Sequence, residues 1–234
     1  MPKLYLIPNL LSENAWQKVL PETVKQVCTE TKYFIVENIR TARRFLKKLD
    51  KTIDIGTLTF FELNKYTTEE EKQKSILPLL EGKNIGIISE AGCPGVADPG
   101  ADIVKMAHEA NVRVVPLVGP SSILLGLMAS GMNGQNFAFT GYLPVKQNER
   151  GKLIRQLEKK SRAENQTQIF IETPYRNNPL FLDLIKYCSP STLLCIACGL
   201  TSENEFIATR TIKSWKENIP DLNKRPAIFL LYSG

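Results

Sequence analysis

Short apolar runs recur along the first half of the chain, separated by polar segments with a helical spacing. Residues 3–7 (KLYLI), 32–37 (KYFIVE), 58–63 (LTFFEL), 84–89 (NIGIIS) and 113–117 (RVVPL) have the length and content of strands. Between them, 41–49 (TARRFLKKL), 68–81 (TEEEKQKSILPLLE) and 101–110 (ADIVKMAHEA) repeat apolar residues three and four apart, the pattern of amphipathic helices. Pro78 should kink or divide the second, because proline lacks an N–H and clashes with the preceding turn. Strand–helix alternation predicts a parallel, doubly wound sheet covered on both faces.

The pattern changes further on. Residues 119–131 (GPSSILLGLMASG) predict a helix, with Ser121 as N-cap candidate and Gly131 placed to stop it. A strand at 136–143, a basic helix at 148–160, a strand at 167–172 and a helix at 178–188 follow. Strands at 192–198, 205–212 and 226–233 then come with short connections, which predicts an antiparallel or mixed sheet. The expectation is two α/β domains, residues 1–117 with a mainly parallel sheet and 118–234 with a mixed one.

Composition narrows the class. Of 234 residues, 43% are hydrophobic and 23% charged, as in ordinary globular domains. No run is long enough to span a bilayer, and the first residues lack a signal-peptide pattern, so the expected location is cytoplasmic. Five cysteines, an odd number, argue against a disulfide framework. Cys195 and Cys198 form a C-x-x-C, but LLCIACGL reads as a buried strand whose alternation puts them on opposite faces. With a single histidine, His108, inside a helical pattern, no metal site is expected. The net charge of +6 favours a polyanionic partner. Positive residues cluster at 40–48 (Arg40, Arg43, Arg44, Lys47, Lys48) and 146–162, including Lys146, Arg150, Lys152 and Arg155. Each cluster is either a phosphate track or a solvated helix face.

In open α/β sheets ligands bind at the carboxyl ends of the strands. After the fourth strand comes SEAGCPGVADPG (89–100), with three glycines and two prolines in one loop. Such a rigid, glycine-bearing loop lets backbone approach a ligand closely. It matches neither the dinucleotide fingerprint nor the Walker A loop. Glu90, at the strand end, is the preferred chemical residue. Asp98 serves either chemistry or the cap of the following helix. Cys93, with no histidine near it in sequence, reads as a small packing residue.

SEAGCPGVADPG, followed by VVPLVGPSSILLGLMASG and FAFTGYLP, resembles the tetrapyrrole-methylase superfamily. More narrowly it is similar to the branch that methylates a cytidine ribose 2'-oxygen in small-subunit ribosomal RNA, which reads S-D-A-G-T-P-x-x-S-D-P-G, then P-x-x-G-P-S-A, then F-x-F-x-G-F-L-P. IETPYRN (171–177) and GLTSENE (199–205) extend the likeness over almost the whole chain, as does the weaker VENIRTARRFL (36–46). The resemblance implies S-adenosylmethionine as cofactor, folded into a cleft between two α/β domains, a ribosomal RNA substrate and a homodimer. By match, the cofactor would be held by Pro8 and Asn9; by Ala91, Gly92, Cys93 and Val96; by Ser121 and Ser122; and, in the second domain, by Glu172 and Thr173, Gly199 and Leu200, and Pro226 and Ala227. Glu90 and Asp98 are the catalytic candidates. Arg40, Arg44 and Arg176 are the substrate-binding ones, Arg176 being open either to a phosphate or to a surface salt bridge.

The chain departs from the branch in its first loop, LIPNLLSEN in place of G-T-P-I-G-N-L, and at Asn38, Glu90, Cys93, Tyr175 and Ser202. Two other readings therefore stand beside RNA methylation. One is a small tetrapyrrole methylase, whose loop typically reads G-D-P where this chain has Gly92-Cys93-Pro94. The other is a catalytically silent nucleic-acid or nucleoside-binding module.

Overall fold

The computed structural model describes residues 1–13 and 16–234. These form two compact units, Met1–Ser121 and Ser122–Gly234.

The first unit alternates strand and helix. Strand β1 (Lys3–Ile7) leads to α1 (Glu22–Glu30), β2 (Tyr33–Val36) to α2 (Ile39–Leu49), β3 (Thr59–Glu62) to α3 (Glu69–Leu80), and β4 (Ile85–Ile88) to α4 (Gly100–Glu109), before β5 (Arg113–Pro116). The sheet order is β3-β2-β4-β1-β5, and all four pairings are parallel. Strand alternation divides the core between the faces. Ile7, Phe34, Val36 and Ile88 pack with Val24 and Cys28 of α1 and Phe45, Leu46 and Leu49 of α2. Leu4, Ile35, Ile85 and Ile87 pack with Ile76 and Leu79 of α3 and Ile103 and Ala107 of α4. The doubly wound expectation holds.

Two details differ from the sequence reading. Helix α1 was not anticipated; PETVKQVCTE has few apolar residues, of which only Val24 and Cys28 are buried. Pro78 does not divide α3, which runs unbroken to Leu80. The proline lies in the last turn, where few intrahelical bonds remain to be lost, and its carbonyl accepts from Lys83 N–H (2.8 Å). At the other end Thr68 and Glu71 form a capping box.

The second unit runs α5 (Ser122–Ser130), β6 (Phe137–Tyr142), α6 (Gln147–Glu164), β7 (Thr167–Ile171), α7 (Asn177–Tyr187), β8 (Leu193–Cys198), β9 (Phe206–Thr211), α8 (Ile212–Glu217) and β10 (Ala227–Tyr232). Its order is β6-β7-β10-β8-β9, parallel between β6 and β7 and antiparallel elsewhere. The mixed sheet is as expected; the short α8, after β9, is additional. One face packs Phe170, Leu194, Ile196, Cys198 and Phe229 against Ile154 and Leu157 of α6, Leu180, Phe181 and Leu184 of α7, and Trp215 of α8. On the other face α5 approaches closely at Gly126, where an added Cβ would lie 2.9 Å from Ile228.

Helices α6 and α7 are pinned by a buried ion pair. Arg150 Nε donates to Asp183 Oδ2 (2.7 Å), its Nη1 to the Val145 carbonyl (3.1 Å), and Gln147 donates to Asp183 Oδ1 (2.8 Å). Both charged side chains are under a tenth exposed. Arg150 therefore leaves the basic track proposed for 146–162. Removing one partner of such a pair strands a buried charge. Asp183→Ala is expected to destabilise the protein by about 3–5 kcal/mol; urea denaturation of the variant beside wild type checks it, and a change below about 1 kcal/mol would contradict it.

Candidate functional site

In the first unit β4 lies between β1 and β2, with Ile88 level with both Ile7 and Val36. The three carboxyl ends therefore emerge side by side, and three segments meet there. Asn9 N–H donates to the Gly92 carbonyl (2.9 Å), and Gly92 N–H to the Asn9 carbonyl (3.2 Å). The Asn9 side-chain amide donates to the carbonyls of Ser89 (2.8 Å) and Glu90 (3.2 Å), while its oxygen accepts from Leu10 N–H (2.7 Å). Gly92 has φ +71°, a conformation glycine adopts without strain. Gly119, just before Ser121, sits so close to Pro8 that a Cβ would fall 2.3 Å from it. Cys93 Sγ lies 3.6 Å from the Pro120 carbonyl. Thus Pro8, Asn9, the Ala91–Cys93 loop and the 119–121 segment are gathered at one edge. Val96, in the same loop, is 48% exposed.

Burial, and next the charge of Asp98, push the Cys93 thiol above its ordinary value, which disfavours the nucleophilic thiolate. Asp98 Oδ1 accepts from Gly95 N–H (2.7 Å) and from Gly100 N–H (2.9 Å), the latter at the start of α4. It therefore fixes the loop and the helix entry, whatever chemistry its other oxygen serves. The Glu90 carboxylate accepts from the Thr41 hydroxyl of α2. Asn38 caps that helix, accepting from Arg40 and Thr41 N–H.

Glu37, at the end of β2, was not among the expected catalytic residues. Burial, then the negative charges of Asp98 and Glu90, raise its carboxyl above the ordinary value, against a backbone hydrogen bond from Glu90. Its signal in the sequence was the acidic residue closing KYFIVE, a strand-end position of the kind read at Glu90. Val36, Leu63 and Pro99 line a pocket together with Glu37 and Asp98. Among the described residues, no group of three or more His, Cys, Asp or Glu is arranged to hold a metal ion. His108 is exposed in the last turn of α4.

On α2, Arg40, Arg43, Arg44, Lys47 and Lys48 are all exposed. Arg43 stacks on Phe60 (5.3 Å), and Lys48 donates to the Glu13 carbonyl (2.8 Å).

In the second unit the carboxyl ends of β7 and β8 flank the start of β10, since Ile228 pairs with Ile171 and Ala227 with Cys198. Gly199 N–H donates to the Pro226 carbonyl (2.8 Å), Lys224 N–H to the Pro174 carbonyl (3.1 Å), and Asn177 Nδ2 to the Arg225 carbonyl (2.6 Å). Glu172, Thr173, Gly199, Leu200, Pro226 and Ala227 thus share one end of the sheet. Ser122 opens α5. Arg176 Nη2 donates to Glu172 Oε1 (2.6 Å), so of its two open roles the structure displays the ion pair. Cys195 and Cys198 are both buried and free. Cys198 faces the α6–α8 core, and alternation turns Cys195 to the other side.

No family model matches the chain. Curated proteins do. Ribosomal RNA small subunit methyltransferase I of Buchnera aphidicola subsp. Schizaphis graminum is 30% identical over 238 residues, covering 99% of this chain and 78% of that protein. The protein of the same name from Vibrio cholerae is 30% identical over 208 residues, 88% of this chain and 67% of its own length. That of Haemophilus influenzae is 32% identical over 158 residues, 68% and 54%. Two solved structures share the fold: the methyltransferase CobJ (TM-score 0.64, 15% identity, 99% of this chain and 93% of that one) and uroporphyrin III C-methyl transferase from Thermus thermophilus (TM-score 0.60, 14% identity, 99% and 97%).

A carboxyl with a raised folded-state pKa binds its proton more tightly in the folded protein. Its penalty is absent at low pH, develops as pH rises through the ordinary value of 4.5, and is complete above the folded value. Glu37→Gln removes it. The variant should melt above wild type at pH 7, and the gap should close as pH falls below 4.5. A lower melting temperature at pH 7 in thermal scans would contradict this.

Proposed function

The chain belongs to the ribosomal RNA small subunit methyltransferase I family, and from that membership we propose that it transfers a methyl group from S-adenosylmethionine to a ribose 2'-hydroxyl of small-subunit ribosomal RNA. The observation that carries this reading is the likeness across 99% of the chain to a protein of that name. The sequence matches of the signature loops support it, and the loop edges of both units suit a nucleoside cofactor. In the first unit Gly92 offers backbone at positive φ, and in the second a buried Glu172 oxygen has no hydrogen-bond partner.

When bound, the cofactor supplies an electrophilic methyl on a sulfonium, open to in-line displacement. The chain must then align a ribose hydroxyl and accept its proton. Glu37 suits the second task, because a carboxylate with raised proton affinity is a better base near neutral pH than an ordinary one. Glu90 and Asp98, the catalytic candidates, act in this scheme by raising that affinity, while Thr41 and two backbone N–H groups hold them in place. Pro8, Asn9, Ala91, Gly92, Cys93, Val96, Ser121 and Ser122 are the proposed cofactor contacts of the signature loops. Glu172, Thr173, Gly199, Leu200, Pro226 and Ala227 are those of the second sheet. We also carry forward a homodimeric, cytoplasmic enzyme, with sedimentation velocity as the measure of its assembly.

Calorimetric titration with S-adenosylhomocysteine, followed by methyl incorporation into small-subunit RNA, tests the reading. Wild type should bind saturably. Gly92→Val should lose that binding, because its φ is strained for a β-branched residue and the new Cβ meets Leu11 at 3.3 Å and the Pro120 carbonyl at 3.4 Å. A wild type that binds cofactor and still transfers no methyl to any ribosomal RNA would sink the proposal.

Arg40 and Arg44 are the proposed phosphate contacts. Replacing both with Gln should flatten the dependence of log K for RNA on log salt by about 0.7 for each single-strand phosphate released, with S-adenosylhomocysteine affinity unchanged. An unaltered slope in filter-binding assays would return this helix face to solvent.

A further inference from the structure

Among the described residues four buried side-chain atoms have no hydrogen-bond partner, and three of them fall within one turn: Glu172 Oε2, Arg176 Nε and Asn177 Oδ1. Unpartnered buried polar atoms are rare in folded proteins, and three together require an explanation. The opposite ends of the same groups are well anchored. Glu172 Oε1 accepts from Thr173 N–H and from Arg176 Nη2, both at 2.6 Å, and Asn177 Nδ2 donates to the Arg225 carbonyl. The Glu172 side chain is wholly buried, so water does not serve its second oxygen from bulk. An unmet carboxylate oxygen in that setting costs more than an unmet neutral acceptor.

The atoms left over describe what would complete them. Two are acceptors and one is a donor. A phosphate carries acceptors alone at neutral pH; it would meet the Glu172 carboxylate with repulsion and find the Arg176 charge already paired. A ribose hydroxyl or the edge of a base presents donor and acceptor together.

We propose that the turn after β7 receives a nucleoside group rather than a phosphate, with Glu172 Oε2 and Asn177 Oδ1 accepting its hydroxyl or amino hydrogens and Arg176 acting as the positioning residue that orients Glu172. This rests on the methyltransferase reading and narrows it. The nucleoside has two sources there, the cofactor and the target nucleotide, and both offer the same chemistry.

Glu172→Gln keeps the shape and one acceptor but removes the charge. If the cofactor supplies the group, S-adenosylhomocysteine binding weakens by about tenfold or more in calorimetry. If the target nucleotide supplies it, cofactor affinity holds and the KM for small-subunit RNA rises by a similar factor, with the salt slope of RNA binding unchanged. Arg176→Gln should reproduce the Glu172→Gln defect, and Arg176→Lys should restore part of it. The proposal is overturned if Glu172→Gln stays within about twofold of wild type for both ligands. It is equally overturned if Arg176→Gln flattens the RNA salt slope as loss of a phosphate contact would. Should Glu172→Gln fail to fold, wild type decides. Equal binding of S-adenosylhomocysteine analogues lacking each ribose hydroxyl or the exocyclic amino group, together with equal binding of RNA lacking the target 2'-hydroxyl, overturns the proposal. Loss of affinity in either series supports it. Failure of the functional reading is seen separately, as wild-type protein that binds cofactor and transfers no methyl.

Discussion

Asn9 is the tie on which the ligand-facing edge of the first unit depends. The strand β4 is buried on both faces and flanked by strands on both sides, so the carbonyls of the chain leaving it have little access to water. A buried backbone group without a partner costs as much as a lost hydrogen bond. Asn9 supplies the partners: its amide takes the carbonyls of Ser89 and Glu90, and its backbone exchanges two bonds with Gly92. With those bonds made, the loop turns back at positive φ. Glu90 then reaches Thr41, and Cys93 meets the Pro120 carbonyl.

The two units handle buried charge in opposite ways. At the edge of the first, Glu37, Glu90 and Asp98 crowd one another, and their repulsion adds to burial in raising the proton affinity of Glu37. A site that is electrostatically uncomfortable when empty is a common cost of proton chemistry. In the second unit each buried carboxylate has an arginine: Asp183 has Arg150, and Glu172 has Arg176. The first pair is fully satisfied and structural, joining α6 to α7. The second is satisfied on one side only, and that asymmetry separates a scaffold pair from a binding pair of the same chemistry.

Much of the architecture was legible from periodicity. Residues such as Leu4, Ile7, Phe34 and Ile35 alternate so regularly that the two-faced sheet follows from them. Helix α1 escaped because its buried side is two residues wide, and α8 because it is a single short turn. The effect of Pro78 was overestimated, since a proline in a last turn loses little. Arg150 lies in a run of basic residues, and nothing local distinguishes it from Lys152 or Arg155; only the facing Asp183, 33 positions away, draws it inward.

The candidate loops were legible as compositions. Glycine and proline at SEAGCPG signal a constrained backbone in any fold. What the chain alone determined was therefore its strands and helices, its two classes of sheet, and the family likeness carried by its loops. Which charges meet was decided by the tertiary structure. Glu37, Glu90 and Asp98 belong to different strand ends and a helix entry, and their coupling exists only because parallel pairing brings those ends into register. Proton affinity and hydrogen-bond satisfaction depend on distances of a few ångströms between residues far apart in the chain, and those distances come into being only with the fold.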